Sequence, residues 1–160
     1  MKFTKIKDVK IPTGNRKEDA GLDFYIPNDW NNGKPMKLYI GQQVNIPSGI
    51  KIKVPQDMML QFNNKSGVAL KKGLVVGACV VDTGYRGEVH LNLFKVVKGK
   101  EDKKNIFGKR YTVLTPGEKI VQGILVKVST ENINEISNKE YDKGPKTKRS
   151  DKGFGSTGNK

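Results

Sequence analysis

The sequence predicts an all-β subunit, a sandwich or barrel of short strands with one short helix and a glycine-rich C-terminal tail. Three observations lead there. Apolar residues recur at every second position in Leu38 and Ile40, in Val44 and Ile46, and in Ile50, Ile52 and Val54, with breaks at Gly41, Pro47-Ser48-Gly49 and Pro55. Period two with Gly/Pro punctuation is strand chemistry. Residues 80–94, VVDTGYRGEVHLNLF, read as a hairpin: two apolar residues, a bend at Asp82-Thr83-Gly84, then Val89, Leu91 and Leu93 alternating with Glu88, His90 and Asn92. From residue 129 onward the apolar density collapses, which predicts a barrel domain over 1–140 and a mobile arm over 141–160.

In chain order, residues 1–12 read as an edge strand ending at Pro12, and 13–20 as a polar loop. A short strand follows over 20–26, and 28–37, with Trp30, Gly33 and Pro35, carries loop chemistry. Met58 to Phe62 is another apolar strand. Ser66–Lys72 is the place for a helix, with Ser66 as its N-cap. Residues 74–81 form a nearly continuous apolar run, expected as a buried strand feeding the hairpin. Residues 98–109, KGKEDKKNIFGK, read as a solvated hairpin loop. Residues 111–114 and 120–128 complete the strands, and Gln122, the polar residue inside the last of them, reads from its chemistry alone as pointing outward to solvent.

At 160 residues the chain suits one domain with a real core. No apolar run approaches the ~18 residues of a membrane span, and the first residues lack the apolar core of a signal peptide. A single cysteine, Cys79, excludes an internal disulfide and points to the reducing cytoplasm. The net charge of +14 points to polyanionic partners, a phosphorylated small molecule or nucleic acid, or to a solubilising surface. The lysine-rich stretches lack the interleaved aromatics of a single-strand stacking platform.

Residue chemistry leaves several sites open in two senses. Asp82 is either a turn-capping acid or a positioned base, with Tyr85 beside it. Free N–H groups at the start of Ser66–Lys72 suit phosphate oxygens or simply begin a helix. The tail Gly153-Phe154-Gly155-Ser156-Thr157-Gly158 is either a linker or an anion-wrapping loop. Cys79 reads as a small apolar residue, His90 as a packed or rim residue, and no His or second Cys stands at metal-site spacing.

Five stretches in this order resemble the trimeric dUTP pyrophosphatase (dUTPase) family, phage- or bacterial-like. They are Ala20-Gly21-Leu22-Asp23-Phe24, Lys65-Ser66-Gly67-Val68-Ala69, residues 77–87 (GACVVDTGYRG), Pro116-Gly117-Glu118-Lys119-Ile120-Val121-Gln122, and residues 149–158. The resemblance implies a distorted jelly-roll and hydrolysis of dUTP to dUMP and pyrophosphate, with Mg2+, in a homotrimer with shared sites. It implies that Asp82 deprotonates the water attacking the α-phosphorus. Tyr85 would exclude a ribose 2′-hydroxyl, and backbone from Cys79 through Val80 and Val81 to Tyr85, with a contact near His90, would read uracil. Lys65, Ser66, Gly67 and Gln122 would serve the phosphates. Arg149 would pair with the terminal phosphate, Phe154 would stack on uracil, and Gly155, Ser156 and Thr157 would close over the nucleotide. Mg2+ would be held by triphosphate and water, with Asp23 either an outer-sphere acid or a structural one.

The chain departs from the family pattern at Lys65 and Lys119, where arginine is usual, at Cys79 and His90, where smaller residues stand, and at Ser150. Residues 28–37 and 98–109 read as insertions, solvated decoration or sites for a regulatory protein or nucleic acid. A dCTP deaminase of the same fold and a basic binding module are the alternatives. The apolar-apolar-Asp-Thr-Gly of residues 80–84 also matches retroviral-type aspartic proteases, which leaves the other four motifs unexplained.

Overall fold

The structure is a computed structural model that describes residues 1–145 except Asn15, Lys17 and Thr130. Two compact units are present, Met1–Ser129 and Thr130–Lys160. In the first, the strands are β1 (Lys2–Lys5), β2 (Leu22–Tyr25), β3 (Met36–Tyr39), β4 (Gln43–Lys53) and β5 (Met58–Asn64). Helix α1 (Ser66–Lys72) follows, then β6 (Leu74–Val76), β7 (Val80–Val81), β8 (Glu88–Lys95), β9 (Lys103–Lys104), β10 (Arg110–Leu114) and β11 (Lys119–Lys127). In the second unit, α2 (Asn138–Tyr141) is capped by Ser137, whose hydroxyl accepts from the Glu140 N–H at 3.2 Å. No helix among the described residues is long and apolar enough to cross a membrane.

The expected all-β class holds, but the sheets do not close into a barrel. Three separate sheets run β1-β4-β8-β6, β3-β10-β9 and β2-β11-β5-β7. The core between them is built from the alternating residues read in the sequence, including Val44, Ile46, Ile50, Ile52, Leu91 and Leu93. Each such aliphatic side chain contributes about 1.5–3 kcal/mol when taken from water. Gly123 in β11 leaves the space into which Phe24 and Phe62 close edge-to-face, with centroids 4.9 Å apart. A Cβ there would meet the Phe24 ring at 2.7 Å and Leu60 at 2.9 Å.

Several expectations are corrected. Pro47-Ser48-Gly49 does not end a strand; β4 runs through it with a register shift against β8 between Pro47 and Lys51. The shift is accommodated by Gly49 at φ +73° and by Ser48, whose buried hydroxyl accepts from the Ile50 N–H. The run 74–81 is two strands: Gly77-Ala78-Cys79 breaks it, and β6 and β7 join different sheets. The expected pairing of 80–81 with 88–95 is also absent. β7 pairs with β5, while β8 pairs with β4 and β6. Residues 82–87 are therefore a corner between sheets, because alternation fixes which face is buried and not which strand is the neighbour. Only Lys2–Lys5 of the first twelve residues is a strand. Lys65, not Ser66, is the N-cap residue of α1, with no side-chain cap bond.

Candidate active site

The expected site residues fall into two clusters. The first lies on the corner. β6 and β8 are antiparallel, and where they part the Gly77 N–H donates to the Asn92 carbonyl at 3.0 Å while the Ala78 N–H donates to Asn92 Oδ1 at 3.2 Å. The Cys79 carbonyl accepts from the Phe62 N–H at 2.7 Å, and Val80 and Val81 pair with Gln61 and Leu60. As the end strand of its sheet, β7 keeps an outer backbone edge without a ladder partner. Beyond it a cavity of about 180 Å³ is lined by Phe62, Ala78, Val80, Val81, Asp82, Tyr85, Val89 and His90.

The corner is held tightly around an exposed acid. The Tyr85 N–H donates to the Asp82 carbonyl at 3.1 Å, and the Tyr85 hydroxyl donates to the Glu88 carbonyl at 2.8 Å. The Thr83 hydroxyl reaches the carbonyls of Val54 and Pro55, and the Arg86 guanidinium donates to those of Thr83 and Tyr85. The backbone is fixed, yet no hydrogen bond or ion pair among the described residues holds the Asp82 carboxylate. An acid with a rigid backbone and an uncommitted head is a usable proton acceptor. His90 is exposed, with Nδ1 3.0 Å from the Glu88 carbonyl, and stands opposite Pro47 of β4.

The second cluster lies on the β2-β11-β5 face opposite the core. Asp23, Gln122 and Asn63 are cross-strand partners in one row. Asp23, 4% exposed, receives Lys65 Nζ on Oδ1 at 2.5 Å and Lys119 Nζ on Oδ2 at 3.1 Å. Burial pushes its carboxyl up, but the hydrogen bonds and charges of the two lysines outweigh that and hold it below its ordinary value of 3.8. The same contact raises Lys119. A cavity of about 170 Å³ here is lined by Asp19, Ala20, Gly21, Asp23, Lys65 and Gln122. Gln122 does not simply face solvent: it lines this cavity, and its amide donates to the Asn64 carbonyl at 3.1 Å.

The two clusters lie at different levels of β5. Val81 pairs with Leu60, so Asp82 continues toward the Met58 end of β5, whereas Lys65 and Ser66 follow Asn64 at the other end. The Lys65 ammonium turns back onto Asp23 in the row of Asn63, about 13 Å of extended strand from the Met59 level that Asp82 reaches.

A family model described as dUTPase matches residues 7–158. The chain belongs to the dUTPase family. It is 30% identical over 157 residues to the deoxyuridine 5′-triphosphate nucleotidohydrolase of Clostridium tetani, covering 95% of this chain and 91% of that protein. Against the Hydrogenobaculum protein of the same name it is 32% identical over 159 residues, covering 96% and 94%. A mutant dUTPase of Staphylococcus bacteriophage 80alpha, solved with dUpNHpp, superposes with a TM-score of 0.75 at 22% identity over 98% of this chain and 97% of that one. A mutant dUTPase of phage phi11 of S. aureus, described as coordinating a structural Mg(II) ion, gives 0.69 at 18% identity over 87% and 97%. At those identities the likeness is one of fold, and the fold is the family's jelly-roll.

Of the remaining dUTPase motif residues, Ser66 and Gly67 are exposed on the first turn of α1, where N–H groups lack intrahelical acceptors. Arg149, Phe154, Gly155, Ser156 and Thr157 lie outside the described residues. Sequence reasoning missed Asn92, Asn64, Thr83 and Arg86 as the residues that shape the corner and its approach. Asn92 carried the one available signal, an amide inside an apolar strand; it is buried and fastens Gly77 and Ala78.

Proposed function

We propose that this chain hydrolyses dUTP to dUMP and pyrophosphate, with Asp82 as the base. The observation that carries the reading is the Asp82 carboxylate, exposed on a backbone-locked corner beside a small cavity flanked by an open strand edge. Uracil enters that cavity and is read by N–H and C=O groups of residues 79–81 and the backbone near His90. Pairing with fixed donors and acceptors rejects cytosine, because a mismatched base leaves buried polar groups unsatisfied. Tyr85, tied down through its hydroxyl, lies under the deoxyribose and excludes a 2′-hydroxyl.

Asp82 accepts a proton from a water whose oxygen forms a bond to the α-phosphorus. The bond from that phosphorus to the bridging oxygen breaks, and pyrophosphate departs. Lys65, the Ser66 hydroxyl and the N–H groups of Ser66 and Gly67 hold phosphate oxygens, Gln122 assists beside them, and Arg149 with residues 154–157 completes the enclosure. No group of three or more His, Cys, Asp or Glu among the described residues could hold a metal ion. On the proposed reading Mg2+ would be held by the triphosphate and water. Bound there, it would offset phosphate charge. Asp23, with an oxygen on each of two lysines, serves the lysines' placement.

The separation of Asp82 from Lys65 along β5 supports sites shared between copies in a homotrimer. The proposed compartment is the cytoplasm, and the arm over 141–160 is proposed as the closing lid. The test is pyrophosphate release from dUTP and from dCTP with Mg2+. Rapid release from dUTP alone, lost in Asp82→Asn, is expected; equal rates in the two proteins would refute the assignment.

A further inference from the structure

The segment 98–104, read from its lysines as solvated, is in part buried. Lys95, at the end of β8, and Asp102 have side chains with no exposure at all, and Lys95 Nζ lies 2.9 Å from Asp102 Oδ1. The same ammonium donates to the carbonyls of Lys72 at 2.7 Å and Val97 at 2.9 Å, so its three protons are all used. The second oxygen of Asp102 is buried with no described partner. A fully buried ion pair is a costly device, and no step of the proposed reaction uses it.

Its location shows what it holds. Helix α1 has seven residues, no buried residue and no side-chain bond at its N-cap. A helix that short does not persist on its own. Val68 packs against the core and Lys72 Nζ reaches Glu118 and the Val113 carbonyl, and further support is at the C-terminal end, where the last carbonyls are bonded from outside. Leu70 O accepts from the Lys100 N–H at 3.1 Å, Lys71 O from the Glu101 N–H at 2.8 Å, and Lys72 O from buried Lys95. An ammonium there also meets the negative end of the helix dipole. Two glycines let the backbones interlock: a Cβ on Gly73 would meet Val97 O at 2.0 Å, and one on Gly99 would meet Lys71 O at 2.2 Å.

We infer that the 98–104 segment is the seat of α1, and that Lys95 and Asp102 are positioning residues for the phosphate-binding turn at Lys65, Ser66 and Gly67. The inference rests on the proposed reading of that turn. Asp102 orients the Lys95 ammonium, Lys95 fixes the Lys72 carbonyl, and the seven-residue rod transmits that position to its first turn. The base-reading corner at residues 77–92 is fastened separately, through Asn92, Thr83 and Arg86. Loosening the seat therefore weakens the hold on phosphates and leaves the hold on the nucleoside unchanged.

The experiment compares the full-length protein with the double variant Lys95→Met/Asp102→Leu, which removes both charges together and leaves neither unpaired. Calorimetry with Mg2+ measures binding of the imido analogue dUpNHpp and of deoxyuridine, with circular dichroism to establish folding. The expected result is roughly tenfold weaker binding of dUpNHpp with deoxyuridine unchanged, and recovery toward wild type in Lys95→Arg. Unchanged dUpNHpp binding by a folded double variant overturns the inference, as does equal weakening of both ligands. If the variant does not fold, amide hydrogen exchange on the wild type decides. Protection of Ala69 to Lys72 is expected to be lost together with that of Lys100 and Glu101, and separate opening overturns the inference. Wild-type turnover of dUTP is scored independently, so failure of the seat and failure of the dUTPase reading are distinct results.

Discussion

Asp82 follows β7 toward the Met58 end of β5, whereas the Lys65 ammonium sits on Asp23 in the row of Asn63, about 13 Å farther along the strand. Neighbouring phosphorus atoms of a triphosphate are separated by only two P–O bonds, so on the proposed reading the two residues are expected to meet one substrate from different copies of the chain. That arrangement would place the corner of one copy against the helix start of the next, a heterologous contact that can close in a ring. Asp82→Asn and Lys65→Ala are each expected to be inactive alone. Unfolded and refolded together in equal amounts, they are expected to regain about a quarter of wild-type turnover, since random assembly places two intact halves at one site with that frequency. Light scattering should give a mass of three chains. No recovery on mixing would place both residues in a site within one chain.

The Asp82 carboxylate is exposed and without a described partner, so replacing it separates chemistry from folding. Asp82→Asn is expected to lower kcat by about 10²–10⁴, the usual worth of a positioned base. The melting free energy should move by no more than about 0.5 kcal/mol, as for other exposed substitutions. Pyrophosphate release and thermal unfolding on the same preparation check the two halves. A large loss of stability would reassign Asp82 to holding the corner.

Much of this was legible in the residues, and what was not has physical causes. The helix over Ser66–Lys72 was readable from its local composition, and the strand faces from period two. Partners were not readable: Val80-Val81 and Val89 to Leu93 show the same alternation whether they pair with each other or, as here, with β5 and β4. Charge also misled. The lysines of 98–109 suggested solvent, yet Asp102 among them is buried because Lys95, four residues after the apolar Leu91, turns inward to meet it. At Gln122 the polar residue was visible, but its role depended on the row it forms with Asp23 and Asn63, a product of register.

The Asp23 clamp predicts a pH dependence with a definite sign. Burial raises its carboxyl, the two lysines lower it more, and the result lies below 3.8. A group depressed on folding stabilises the fold above its unfolded value and loses that contribution as pH falls through the folded one. Acid unfolding of wild type should therefore steepen below about pH 4, and Asp23→Asn should show a shallower slope there. Lys119, raised by the same contact, contributes below its ordinary 10.5 and loses that contribution as pH rises through its folded value. At neutral pH Asp23→Asn should cost about 1–2 kcal/mol, because Lys65 and Lys119 are partly exposed and can hydrate when released. Denaturant melts across pH 2–7 give the slopes, and parallel curves for the two proteins would mean the clamp is absent in solution.

Gly77 offers the most local test of the corner. Its N–H is bonded to the Asn92 carbonyl, and a Cβ added to it would meet Asn92 Oδ1 at 2.0 Å and the Phe94 ring at 2.4 Å. These neighbours sit on β8, the strand between β4 and β6, so neither can retreat far. Gly77→Ala must displace the Asn92 amide, which frees the Ala78 N–H at the mouth of the cavity. The expected cost is about 1–3 kcal/mol, the range for overpacking a filled interior. Weaker dUpNHpp and deoxyuridine binding should accompany it in equal measure, because the base slot and not the phosphate turn is deformed. Gly84→Ala is the control: a Cβ there meets nothing within 4 Å, and its melting free energy should stay within about 0.5 kcal/mol of wild type. If Gly77→Ala behaves like the control, the Asn92 bonds do not shape the slot, and uracil recognition must be sought elsewhere on the open edge of β7.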